Sequence, residues 1–286
     1  MPRISVCLTH YNRPDKLGAT LESLALQTRV PDEVFVWDDC SPNDPTYVIE
    51  EWKARFPHFV YHRNEVNLGM PGNLNAVIAQ ATGDYVANLH DADVFAPTLL
   101  EKWESALETH PKAVLAFCRD SRWLNPRFVA AWADAPALVT PGREFFERFY
   151  LGRLDSIIWG TVMMRRETYQ KLLPFNSLYK NWADVDMWMR ACGEGDIAFI
   201  DETLIELDNS PTPVREFTFS KNALVQMMVI TNIEKLLTGE DRVAGLNRQH
   251  CLWRKLWWRW ILGGFIHRDW RRFKDGFRYY NLEAFR

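Results

Sequence analysis

Thr82-Gly83-Asp84-Tyr85-Val86-Ala87-Asn88-Leu89-His90-Asp91-Ala92-Asp93 is the stretch that decides how this chain reads. An apolar run of strand length, Tyr85 to Leu89, stops at two carboxylates one residue apart. Carboxylates so spaced can grip a divalent cation together. A hard cation held by one or two of them completes its shell with water and phosphate oxygens. The same spacing also arises by chance in solvated loops and helix caps, so the flanking pattern has to discriminate.

Working outward, Ile4 to Leu8 predicts a buried strand, and Pro14 opens a helix carrying Leu17, Leu21 and Leu24 at helical spacing. Glu33 to Trp37 predicts a second strand, closed by the turn Asp38–Asp39–Cys40–Ser41–Pro42. Tyr47 to Phe56 reads as a helix and Phe59 to His62 as a short strand; a Gly-bearing loop from Asn64 to Gly72 leads into a helix ending at Ala81. Beyond the Tyr85–Leu89 strand, Pro97 opens a further helix and Ala113 to Cys118 forms another strand. This alternation predicts an α/β fold with a doubly wound, mostly parallel central sheet flanked by helices. Ligands bind such sheets off the carboxyl ends of the strands, where Thr9, Asp38, Asp39, Asp91 and Asp93 all fall.

The second half is more mixed. Ser156 to Met164 predicts a strand, Arg166 to Leu173 a short helix, and Asn181 to Arg190 a helix start with acids in its first turn. Residues 217 to 238 carry a long helical pattern, and Leu252 to Phe273 a helix broken at Gly263–Gly264. The expected division is a catalytic domain over 1–210 and a helical C-terminal extension over 211–286, basic and Trp-rich at its end.

A net charge of −3 argues against nucleic acid as a partner, but it hides an asymmetry. Residues 249–286 carry nine Lys and Arg against three Asp and Glu, a surplus of +6, so the rest of the chain stands at −9. Five of the 13 Trp fall between Trp253 and Trp270, too many for a solvated face. An anionic membrane surface, a second copy of the chain (a homodimer) and the catalytic domain itself are the candidate partners of that tail. The five cysteines are scattered without metal spacing, which suits free thiols in a reducing cytoplasm. MPRISVCLTHYN lacks a signal-peptide pattern, and no stretch nears the roughly 18 apolar residues of a membrane span. A cytoplasmic protein is expected, with the tail a candidate for docking at the inner face of the cell membrane.

With these pieces in order, the chain resembles the family 2 glycosyltransferases of the GT-A fold, which transfer sugars from nucleotide-sugar donors. The matching residues are Tyr11–Asn12–Arg13, Asp38–Asp39–Cys40–Ser41, Asn67–Leu68–Gly69, Thr82–Gly83–Asp84–Tyr85 and His90–Asp91–Ala92–Asp93. Ala183–Asp184–Val185–Asp186–Met187–Trp188–Met189–Arg190 looks like the family's acidic E-D-x-D-L-W-x-R segment. Three departures stand out. Ala183 occupies the place of the family's Glu, His90 precedes the metal turn, and the His of an R-x-H motif is absent from Leu204 to Ser210.

The resemblance implies an inverting, metal-assisted transfer of a hexosyl or N-acetylhexosaminyl group from a UDP- or dTDP-sugar to a glycan or lipid-linked acceptor. Asp184 is then the general base, against the alternative of a helix N-terminal acid favoured by the macrodipole. Asp91 and Asp93 would hold Mn2+ or Mg2+. Thr9, Asp39, Asn67 and Asp91 would meet the nucleotide, with Asp39 accepting the N3–H of uracil or thymine. Asp186 is expected to pair with Arg190 four residues on, and Trp188 to be core. A nucleotidyltransferase would want a glycine in Thr9–His10–Tyr11–Asn12–Arg13–Pro14, and there is none. The remaining alternative is a catalytically inactive nucleotide-sugar or glycan-binding module of the same fold.

Overall fold

The computed structural model describes residues 1–153, 155–208 and 219–266. The N-terminal half alternates as its pattern predicts: β1 (Ile4–His10), α1 (Pro14–Ala25), β2 (Glu33–Asp38), α2 (Thr46–Trp52), β3 (Phe59–Arg63), α3 (Gly69–Ile78) and β4 (Tyr85–His90). After it come β5 (Val94–Phe95), α4 (Leu99–Thr109), β6 (Ala113–Asp120), α5 (Pro126–Ala131), β7 (Val139–Thr140) and α6 (Gly142–Phe149). The series closes with β8 (Val162–Arg165), α7 (Arg166–Leu172), α8 (Ala183–Ala191), β9 (Asp196–Glu206), α9 (Phe219–Leu236) and α10 (Gly239–Ile266).

These strands form one sheet in the order β3-β2-β1-β4-β8-β6-β9-β5, with β7 paired to β9. Strands β1, β2, β3 and β4 are mutually parallel, as are β6 and β9. Strand β8 runs antiparallel to both β4 and β6, so the sheet is mixed although mostly parallel. The register matters most at one end. His10 lies beside Asp38, and Thr9 lies between Trp37 and His90. Three strands therefore stop together and deliver the loops after His10, Asp38 and His90 to one crevice.

The opposite end of those strands is fastened by polar contacts. Glu33 accepts hydrogen bonds from Ser5 Oγ and Thr82 Oγ1, both at 2.5 Å, and from Arg3 at 3.0 Å. Gly83 has to be glycine here, because a Cβ would lie 2.7 Å from the Arg3 carbonyl oxygen and 2.8 Å from Ser5 N. Helix α1 packs its predicted stripe, Leu17, Leu21 and Leu24, into the core beside Val6, Leu8 and Val36.

Three expectations change. The strand over Ser156–Met164 shrinks to Val162–Arg165, because the backbone at Trp159–Gly160 leaves the sheet and the Gly160 carbonyl accepts from Asn88 Nδ2 at 2.7 Å. Strand β9 has no counterpart in the sequence reading, since Asp201, Glu202 and Thr203 interrupt its apolar pattern. Helix α10 runs through Gly263–Gly264 without a break up to Ile266; the predicted continuation to Phe273 lies outside the described residues.

The chain divides into two compact units, Met1–Gly142 with Ile157–Asn209, and Arg143–Ser156 with Ser210–Arg286. Arg143–Ser156, inside the 1–210 range assigned on sequence, thus groups with the C-terminal helices. In the second unit α10 folds back on α9, with Ala223, Trp253, Trp257 and Ile261 in one apolar cluster. Gln249 Nε2 donates to Gln226 Oε1 at 2.7 Å between the same helices. Among the described residues no helix is long and apolar enough to cross a membrane.

Replacing Leu21, fully buried in the sheet-facing stripe of α1, by Ala should cost about 2–5 kcal/mol of stability. Urea unfolding followed by circular dichroism measures it as a lower midpoint with an unchanged slope.

Candidate active site

The loop after β1 is shaped by Asn12, which adopts a positive φ of 57°, a conformation that Asn tolerates better than most residues. Its backbone N–H donates to Ser41 Oγ at 2.7 Å, and its side-chain oxygen accepts from Asn43 Nδ2 at 2.8 Å. The turns after β1 and β2 are therefore laced together. Asp38 does structural work there, accepting from Ser41 N at 3.0 Å and from the Tyr61 hydroxyl at 3.1 Å. Burial, with the Asp38 carboxylate beside it, raises the Tyr61 hydroxyl well above its ordinary range, so it stays a donor.

Asp39 is buried and organises the loop before α3. Its Oδ1 accepts from Leu68 N at 2.7 Å and from Asn64 Nδ2 at 3.0 Å. Asn67 belongs to the same arrangement. Its Nδ2 donates to the Asp39 carbonyl at 3.0 Å, and its Oδ1 accepts from Gly69 N at 3.1 Å, so the amide closes the loop. Thr9 is half-buried at the end of β1.

The two carboxylates of the turn after β4 have different surroundings. Asp91 is almost wholly buried; its Oδ2 meets His10 Nδ1 at 2.7 Å and accepts from Tyr11 N at 3.1 Å. The Arg13 guanidinium lies 2.6 Å from Asp91 Oδ1 as an ion pair off hydrogen-bond geometry. Asp93 is held loosely by comparison. Asp208 N donates to its Oδ1 at 3.3 Å, Thr161 Oγ1 lies 3.4 Å from Oδ2, and His90 Nδ1 lies 3.6 Å away. Burial pushes the Asp93 carboxyl above the usual carboxylate range. An under-solvated carboxylate with long contacts suits a cation beside it.

Among the described residues, no group of three or more His, Cys, Asp or Glu is placed to hold a metal ion by itself. The donor set thus fits a cation held by one or two carboxylates and completed by phosphate and water, and does not fit a closed protein cage. Asp208, at the place where the R-x-H motif is missing, reaches Asp93 through its backbone and pairs its side chain with Lys16.

Asp184 opens α8, half-buried, with its Oδ1 accepting from Val185 N at 2.7 Å. It approaches the residue before the Asp91–Asp93 turn across Gly160. A Cβ on Gly160 would lie 2.9 Å from Asp184 Oδ2 and 2.4 Å from both Cε1 and Nε2 of His90. Two side chains far apart in sequence thus close on one bare backbone position. Asp186 accepts from Arg190 Nε at 2.9 Å, as its spacing predicts, and Trp188 is fully buried against Phe175.

The family model described as glycosyl transferase family 2 matches residues 5–173. The chain belongs to that family. The enzyme is 26% identical over 231 residues to the putative glycosyltransferase EpsE of Bacillus subtilis (strain 168), covering 77% of this chain and 78% of that one. It is 36% identical over 115 residues to the amylovoran biosynthesis glycosyltransferase AmsE of Erwinia amylovora, covering 39% and 43%. Among solved structures, S. aureus TarS in complex with UDP-GlcNAc superposes with a TM-score of 0.69 at 15% identity, over 96% of this chain and 79% of that one. The mannosyltransferase PcManGT from Pyrobaculum calidifontis, in complex with GDP-Man and Mn2+, gives 0.61 at 14% identity, over 88% and 72%. Both likenesses establish the fold.

Four residues at the site received no role from sequence: His10, Arg13, Lys16 and Gly160. His10 precedes the matched Tyr11–Asn12–Arg13 and Arg13 closes it, yet their pairing with Asp91 becomes visible only once β1 and β4 are neighbours. Gly160 carried no signal at all. Gly160→Ala should keep the far-ultraviolet spectrum and lower turnover by about a hundredfold, the penalty for misplacing reacting groups by an ångström. Full activity in that variant would mean that Asp184 and His90 need not sit where they do.

Proposed function

We propose that the enzyme transfers a hexosyl or N-acetylhexosaminyl group with inversion from a UDP- or dTDP-sugar to a hydroxyl of a surface glycan or glycolipid. The observation that carries this reading is the closure of Asp184 and His90 on Gly160, which sets a carboxylate beside the metal turn. A base is useful only where donor and acceptor meet, and the acids of the turn mark the donor's diphosphate. The relatives' names point the same way, AmsE being named for amylovoran biosynthesis and TarS having been solved with UDP-GlcNAc.

In this mechanism Asp184 takes the proton of the acceptor hydroxyl as its oxygen bonds to the anomeric carbon from the face opposite the phosphate. The Val185 N–H on Oδ1 fixes the carboxylate plane. Asp91, immobilised by His10 and Arg13, and Asp93, likewise buried but held by longer contacts, would hold Mn2+ or Mg2+, which would supply Lewis-acid charge to the leaving diphosphate. Asp39 would accept the N3–H of uracil or thymine through the oxygen that the loop does not use, with Thr9 beside the same base or ribose. Asn67 would act through the loop it closes.

Attachment to an anionic membrane surface belongs to the same proposal and gains support from α10. Trp253 and Trp257 are buried, whereas Trp258, Leu262 and Ile266 are exposed by 56%, 52% and 70% at successive i, i+4 positions. Arg254, Lys255 and Arg259 are exposed on the same helix. An apolar stripe with basic neighbours suits the interface of an anionic bilayer.

Asp184→Asn should lower saturated transfer by about two to four decades while leaving donor affinity near normal. Collapse of donor affinity with transfer preserved would move the base elsewhere. Asp93→Asn should abolish the metal dependence of UDP binding measured by calorimetry with and without Mn2+. Equal UDP affinity in EDTA and in Mn2+ for the unaltered enzyme would remove the cation from the mechanism. The full chain should sediment with phosphatidylglycerol vesicles and be released as salt rises, and Trp258→Glu should weaken this without changing activity on a soluble acceptor.

A further inference from the structure

Trp159, the residue before Gly160, opens onto a cavity of about 1200 Å³. Trp159 lines it and also meets His90 edge-on, with ring centroids 6.2 Å apart at 71°. The next residue is Gly160, on which Asp184 and His90 close. An occupant stacked on Trp159 therefore rests on a ring that also meets His90, the imidazole that closes with Asp184 on Gly160.

The wall is built around Arg122. Its guanidinium carbon lies 4.9 Å from the Trp159 ring centroid and 4.7 Å from that of Phe128, so it stacks with both aromatic rings. Asp120, itself buried, accepts from Arg122 Nε at 2.9 Å and Nη2 at 2.8 Å, and the Ile157 carbonyl accepts at 3.1 Å. A guanidinium matched in this way is a rigid support for two aromatic faces and a poor receptor for a further anion.

The rest of the lining is apolar at the floor and acidic at one side. Leu204, Ile205 and Leu207 are buried beneath it, while Leu124 is 74% exposed at its rim. Glu206 and Asp208 add acidic residues to the same lining, the second partly neutralised by Lys16. Apolar and aromatic surface suits the C–H faces of pyranose rings, and carboxylates accept from their hydroxyls. A phosphodiester chain would be repelled by the same acids. The volume exceeds the roughly 300–1000 Å³ of ordinary small-molecule clefts, which favours an occupant of several rings.

The geometry points to this cavity as the acceptor subsite, shaped for an uncharged oligosaccharide that stacks on Trp159. The inference rests on the transferase reading above and deepens it by naming the class of acceptor. Saturation-transfer NMR on the full chain with UDP present tests it, with cellotriose, chitotriose and octyl glucoside as probes. Ring-proton transfer is expected from the unaltered enzyme. Binding should weaken by about tenfold in Trp159→Ala, the scale of one lost aromatic contact, and largely return in Trp159→Phe. Leu124→Trp, which crowds the rim, should also weaken it, and UDP affinity by calorimetry should stay unchanged in all three variants.

Ring transfer indifferent to Trp159→Ala and Leu124→Trp would overturn the site. No ring transfer from any probe, or transfer confined to the octyl chain, would overturn the saccharide class, the latter in favour of a lipid tail. UDP affinity falling in step with Trp159→Ala would assign the cavity to the donor and overturn the inference as well. An enzyme that binds the saccharides at Trp159 but not UDP would leave this subsite standing and sink the nucleotide-sugar reading instead.

Discussion

Asp91 and His10 meet at 2.7 Å, both almost completely buried, and the geometry of the whole crevice hangs on that contact. It joins the end of β1 to the turn after β4. A buried carboxylate without partners is costly, and removing one partner from a buried pair typically costs about 3–5 kcal/mol. The turn is therefore stable in one arrangement, with Tyr11 N and Arg13 completing the shell. Asp93, two residues on, is carried into place by this anchoring while keeping long contacts of its own. One carboxylate is fixed so that its neighbour can remain available.

The same division of labour recurs at β2. Asp38 ties down Ser41 and Tyr61, and Asp39 holds the loop that precedes α3. Asn73 extends the arrangement by accepting from Asn64 and donating to the Trp37 carbonyl at 2.9 Å. Asp38, Asp39, Asn64 and Asn73 each bond to a neighbouring segment, which stiffens these loops in the absence of regular structure. Rigid loops around a crevice suit the alignment of two substrates that the proposed transfer requires.

How much could be read from sequence differed between the two halves of the chain. The strands and helices up to β4 announced themselves because β-branched and apolar runs alternate with helical stripes and are punctuated by Pro14, Gly83 and the Asp38–Asp39 turn. Asp184 was reached through the resemblance of its segment, not through its spacing. Strand β9 escaped because charged residues interrupt it, and pairing with β5, β6 and β7 overrides its weak pattern. The tail's tryptophans looked alike in sequence, yet Trp253 and Trp257 are packed while Trp258 faces outward.

By itself the sequence determined the alternating α/β order, the strand ends that carry Thr9, Asp39, Asp91 and Asp93, and the acidic segment around Asp184. These depend on local periodicity and on short motifs, which are properties of neighbours along the chain. Tertiary structure alone decided that Asp91 is an anchor held by His10 and Arg13, and that Asp208 reaches Asp93 where a histidine is absent. It also decided that Asp184 and His90 close on Gly160. Each is a contact between segments far apart in sequence, fixed by strand register and by the space a missing Cβ leaves, and no local pattern encodes either.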